Sequence, residues 1–190
     1  MINARLPEMI QQIEKDPEAV YRPELGRTYQ ILLAPLEKIV EMDELDAEDH
    51  SPEVVVIEAQ ENGLWLCAKL SARADSCYCG PFDLYLKDVD GYPHTLLEAW
   101  NTVFIHESDF AELGRAVEII PNWQISDEWV ERARELFHIY QSSGCGEEPP
   151  DHLAPYVGKT LECEDVDRED WRMREMGIME TVRRKIHEGA

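Results

Sequence analysis

The spacing of apolar positions divides the chain into three stretches. In the first, Leu6, Met9, Ile10 and Ile13 recur on one helical face and Asp16-Pro17 stops the pattern. This predicts a short N-terminal helix capped by Asn3, with Pro7 in its first turn. From Glu24 to Pro121 the period becomes strand-like. Thr28–Leu33 is a β-rich run ended by Ala34-Pro35, and Val54–Ile57 is continuously apolar, as in a strand buried on both faces. Asn62-Gly63 is the strongest hairpin signal and leads into Leu64–Leu70. Phe82–Lys87 alternates, with Phe82, Leu84 and Leu86 on one side, and Asp90-Gly91 marks a turn. Trp100–Ile105 and Ala116–Ile120 complete the set. A single helical turn, Ser108–Leu113, separates the last two, with Ser108 as its cap and Gly114 as its stop.

Past Pro121 the period turns helical. Ser126 caps a helix with Asp127 and Glu128 in its first turn, and Trp129, Val130, Ala133, Leu136, Phe137 and Tyr140 form its apolar stripe. Gln141–Lys159, rich in Gly and Pro, reads as a connector. A last helix is predicted over 167–186, with Trp171, Ile178, Met179, Val182 and Ile186 facing the protein. The fold class expected is therefore mainly β with flanking helices (α+β). A small six-stranded barrel over 24–121 joins one N-terminal and two C-terminal helices, the latter in an extension over 122–190, as a single domain over 1–190.

Charge sharpens this picture. The chain has 40 acidic and 18 basic side chains, a formal charge of −22. That balance counts against nucleic acid as a partner, because Lys and Arg neutralising phosphates supply most of such affinity. It counts against anionic membrane surfaces for the same reason. No stretch reaches the roughly 18–20 apolar residues of a membrane-spanning helix. The acidic N-terminus lacks a secretory pattern, and five cysteines at irregular spacing imply no disulfide framework, so a cytoplasmic location is expected.

The order of the barrel elements resembles the MazF/PemK family of toxin endoribonucleases, the SH3-like cell growth inhibitor barrel. Gly26-Arg27-Thr28-Tyr29 matches the family's entry into the first strand, and Ser51-Pro52 followed by Glu53–Ile57 matches a Pro-then-valine second strand. Ala68-Lys69-Leu70-Ser71 ends in a small hydroxyl residue, and Val103–Arg115 carries the short helix with its D-x-x-x-L phrase, Asp109 to Leu113. The resemblance covers residues 24–121. It implies an endoribonuclease of a toxin–antitoxin system that works through an Arg before the Pro of the second strand and a Thr or Ser closing the third. Cleavage through a phosphorane-like state needs a positive group at the scissile phosphate. Here the second position holds Ser71, but the first holds the uncharged Ser51, and Arg73 is the nearest substitute. No residue is therefore assigned a catalytic role; Ser51, Ser71 and Arg73 are the family-equivalent candidates.

The loop that faces RNA in the family here reads Leu36–Asp49, with seven acidic residues and one Lys. Asp43, Glu44, Asp46, Glu48 and Asp49 are candidate binding residues, because an acidic loop can fill an ancestral RNA groove from within the same chain; a solvated acidic loop is the plain alternative. Trp123 is the tryptophan expected to contact a partner, whereas Trp65, Trp100, Trp129 and Trp171 are expected in the core. Cys67, Cys77 and Cys79 lack the spacing of a zinc site, so no metal and no cofactor is expected. His106 is expected to be structural at a strand–helix junction. The expectation is a non-catalytic protein-interaction or regulatory protein on a toxin-like barrel, binding a protein partner or forming a homodimer. The alternatives are an active endoribonuclease and an acidic nucleic-acid mimic.

Overall fold

The computed structural model describes residues 22–31, 52–71, 79–86, 96–110, 119–143, 148–158 and 166–188. Strands β1 (Arg27–Ile31), β2 (Glu53–Ala59), β3 (Leu64–Ser71), β4 (Asp83–Tyr85), β5 (Leu96–His106) and β6 (Ile119–Gln124) form one antiparallel sheet. Its order is β4-β5-β3-β2-β1-β6. Two long helices follow, α1 (Asp127–Ser143) and α2 (Val166–Glu188). Among the described residues no ladder joins β4 to β6, so the α+β class holds while a closed six-stranded barrel is not shown. The expected N-terminal helix lies outside the described residues.

Each face of the sheet carries one helix, which explains the unbroken apolar run of β2. Val55 and Ile57 join Leu66, Ala68, Leu70, Phe82, Leu84 and Leu86 beneath the α1 residues Val130, Ala133, Leu136 and Phe137. Val54 and Val56 point the other way, to Tyr29, Cys67, Val103, Ile105 and the α2 residues Met179 and Val182. All four β2 residues are fully buried, each contributing about 1.5–3 kcal/mol relative to exposure.

The turns follow their local chemistry. Asn62 (φ 62°) and Gly63 (φ 75°) both take left-handed backbone, as an Asn-Gly hairpin allows, and the turn joins β2 to β3. The Ser126 carbonyl accepts from the N–H groups of Trp129 (3.0 Å) and Val130 (3.2 Å), opening α1 where the acidic first turn predicts. Residues 107–110 are helical, so Ser108 lies inside the turn instead of capping it, and His106 before it accepts the Ser108 N–H on Nδ1 at 3.2 Å.

Two strands differ from expectation. β6 runs through Pro121 to Gln124 instead of ending at Ile120, and residues 116–118 of the predicted strand lie outside the described residues. Pro121 pairs with Tyr29 at the sheet margin, where a strand tolerates a missing N–H on its outer side. β5 starts at Leu96, four residues earlier than predicted, because Lys69–Ser71 pair with Leu96–Glu98 after a register jump. Ala68 faces Thr102 but Lys69 faces Glu98, so Ala99, Trp100 and Asn101 are accommodated in a bend of β5. The presumed connector is also more than a connector. Leu153 is buried, Val157 bridges to Leu84, and the Gly158 N–H donates to Gly80 O at 2.9 Å.

Candidate functional site

Of the predicted site residues, Ser71 alone has a described side chain. It ends β3 opposite Leu96 and is 6% exposed. Alternation along β3 puts Cys67, Lys69 and Ser71 on the face toward α2, and Leu96 on that face packs with Trp171 of α2. Ser51, Arg73, Asp43, Glu44, Asp46, Glu48 and Asp49 lie outside the described residues, as does the side chain of Trp123, whose backbone belongs to β6. Trp100 and Trp171 are buried, and Trp65 and Trp129 pack against the two cores, as expected of structural tryptophans.

The chemistry beside Ser71 is a buried charged cluster that sequence reasoning missed. Lys69 Nζ forms an ion pair with Glu175 of α2, lies 3.9 Å from Glu98 Oε1, and donates to Leu70 O at 3.1 Å. Asn101, placed inward by the β5 bend, donates through Nδ2 to Glu98 Oε2 at 2.9 Å and to Glu175 O at 3.2 Å. Arg183, about two turns further along α2, donates to Thr102 O and to Asn101 Oδ1. On the far side of the bend, Asp83 accepts from Trp100 Nε1 and from the Gly80 N–H, both at 2.7 Å. The Arg172 guanidinium lies over the Trp100 ring at 4.5 Å from its centroid. Lys69, Asp83, Glu98, Asn101 and Glu175 are all buried.

Burial dominates the electrostatics. It lowers the Lys69 ammonium from its usual range, with Glu98, Glu53 and Asp83 pulling the other way. Burial likewise pushes Glu98 up to about 7, against the neighbouring Lys69 charge and the Asn101 hydrogen bond, with Asp83 reinforcing the rise. The folded chain therefore holds a proton on Glu98 that the unfolded chain releases near its ordinary value of 4.5. Between those values the folded state binds more protons, so this contribution falls as pH rises, by about 3 kcal/mol across the window. Glu98→Gln keeps the neutral hydrogen-bonding form at every pH. Urea denaturation at about pH 5 and about pH 8 is expected to show the wild type losing ground to Glu98→Gln at the higher pH; parallel stabilities would refute this assignment.

Chemically, a desolvated amine is a potential nucleophile, but Lys69 is 4% exposed and tied to two carboxylates. The cluster locks α2 onto the sheet and offers no reacting group to a substrate. His106, Ser108 and Asp109 do lie together, with His106 Nδ1 2.7 Å from Ser108 Oγ and Ser108 Oγ donating to Asp109 Oδ1 at 3.1 Å. The order is wrong for a triad, because the hydroxyl sits between imidazole and carboxylate while His106 Nε2 bonds Asn62 O at 3.0 Å. His106 closes the β2–β3 turn onto the strand–helix junction, the structural role expected of it.

A signal for the cluster exists in the sequence. Lys69 interrupts the inward row of an apolar strand, Glu98 sits within Leu96–Trp100, and Glu175 stands one turn from Trp171 and Met179 on the buried stripe of α2. Charges in those places need partners when buried. No described helix is long and apolar enough to cross a membrane. Comparison of the chain with protein-family models, with curated proteins and with solved structures finds no match.

Proposed function

We propose that this chain is a non-catalytic protein-interaction or regulatory protein of the cytoplasm, built on a MazF/PemK-like barrel that has lost endoribonuclease activity. The observation that supports this reading is the cover over Ser71. A hydroxyl closing the third strand must meet the scissile phosphate to act, yet Ser71 is buried on the face that α2 occupies. Beside it, the one cation on that face of β3, Lys69, is neutralised by Glu175 and Glu98 and is unavailable to a phosphorane-like oxyanion. The uncharged Ser51 at the position of the family's Arg points the same way.

The full chain incubated with a long mixed-sequence RNA is expected to leave it intact, and Ser71→Ala is expected to change nothing. Cleavage at defined sites that Ser71→Ala abolishes would overturn the reading in favour of an active endoribonuclease.

A further inference from the structure

The outer face of α2 carries a pattern that neither the fold nor the buried cluster uses. Glu169, Asp170, Met173, Met176, Gly177, Glu180, Arg184 and His187 are all exposed. Asp170, Met173, Gly177, Glu180, Arg184 and His187 alternate in steps of three and four, the seam spacing of paired helices. Met173 is 59% exposed and projects an apolar side chain into solvent. A Cβ added at Gly177 would meet nothing within 4 Å, so the backbone there is open to close approach. Just beyond lies a shallow depression lined by Gly177, Glu180, Thr181, Arg183 and Arg184. Its members 177, 180, 181 and 184 have the i, i+3, i+4, i+7 spacing of a hole that receives a knob from a facing helix.

Knob and hole are disposed for self-pairing. A two-fold axis through Gly177, with helices antiparallel, sets Met173 of one copy over the depression of the other, at whose floor lies Thr181, 7% exposed and donating to Gly177 O. The same axis sets Asp170 opposite Arg184, each about 10 Å along the helix from Gly177 at 1.5 Å per residue. Acid thus meets base at both ends, and the apolar contacts repeat about the axis. α2 as a whole holds six acidic and six basic side chains, so the formal charge of −22 resides elsewhere in the chain, while the exposed face described here carries Glu169, Asp170 and Glu180 against Arg184.

We propose that the chain pairs with a second copy of itself through α2, the two helices crossing antiparallel at Gly177 with Met173 of each seated in the depression of the other. The pairing is independent of the loss of ribonuclease activity. Two facing helical strips about 34 Å long and 10 Å wide bury on the order of 700 Å², below a standard interface, so dissociation belongs in the micromolar range or weaker.

Sedimentation of the full chain from about 5 to 500 µM tests this. The average mass is expected to rise from one chain toward two. Asp170→Arg or Arg184→Asp alone is expected to weaken the dimer about tenfold or more, because each sets like charges together twice. Combining them restores the opposite-charge contacts and is expected to return the affinity to within about threefold of wild type. Glu131→Arg, on the exposed side of α1, makes the same change in net charge and is expected to leave dissociation within about threefold. Gly177→Cys is expected to cross-link two chains under mild oxidation where the wild type does not. A constant one-chain mass over this range overturns the proposal. So does a dimer indifferent to both single reversals, or one that Glu131→Arg weakens as strongly as Asp170→Arg.

Discussion

Lys69→Ala is expected to destabilise the chain by about 3–5 kcal/mol, the cost of leaving buried carboxylates without their counter-charge. Glu98 is fully buried and Glu175 nearly so, and both lean on the one ammonium between them. Removing it also leaves a void of several methylenes beside Val54 and Cys67. The loss is expected to shrink toward about pH 5, where Glu98 holds its proton and needs no partner. The informative companion is the triple replacement Lys69→Met, Glu98→Gln, Glu175→Leu. It removes the charges together and is expected to recover most of the loss, since a buried ion pair and an apolar set of similar volume differ little in stability. Urea denaturation with matched slopes measures all three proteins. A Lys69→Ala loss below about 1 kcal/mol would show that the cluster is solvated and that α2 is held by its apolar contacts and the Asn101 and Arg183 hydrogen bonds without the ion pair.

Gly26→Ala is expected to be of similar severity, about 3 kcal/mol or more, for a backbone reason. Gly26 has φ 75°, and an added Cβ would stand 2.6 Å from the carbonyl oxygen of Ile125. Neither group is free to retreat. The Gly26 N–H donates to Val56 O and the Ile125 N–H donates to Gly26 O, both at 2.8 Å, so the residue is pinned between β2 and the start of α1. Gly63→Ala is a control with the same φ of 75°, where the added Cβ meets side-chain atoms of His106 and Glu107 at 3.1–3.3 Å. Those side chains can move, and a loss of only about 1 kcal/mol is expected. Equal losses at the two positions would assign the whole effect to the dihedral and none to the contact.

The parts of the fold legible in the sequence are those whose own residues carry the signal. Val54–Ile57 announces a strand buried on both faces because no polar residue interrupts it. The α1 stripe from Val130 to Phe137 announces its helix in the same way. The run of β6 past Ile120 is not legible because Pro121 reads as a stop, and only its position at the sheet margin makes it tolerable. The early start of β5 was hidden by Glu98, which breaks the apolar run and is accounted for only by Lys69 on another strand. The cluster was opaque for a related reason. Lys69, Glu98 and Glu175 come from three elements far apart in the chain, and pairing among them is a property of the β5 bend and the docking of α2 rather than of any local motif. The place of Ser71 at the end of β3 is legible locally, but its burial depends on that same helix.

The margins of the open sheet bear on how the protein behaves in a crowded solution. An unpaired strand margin is a template on which another chain can add a strand, and open antiparallel sheets aggregate by that route. Here one margin, β4, is three residues long and is bridged by Val157 of the segment that precedes α2, with Gly158 fastened to Gly80 beside it. The other, β6, carries Pro121, which cannot complete a ladder. Fibril-like stacking by main-chain hydrogen bonds is thereby obstructed at both ends. With the main-chain route obstructed, contact between copies falls to side chains, and the proposed α2 pairing is of that kind, open to control by a single reversal of charge.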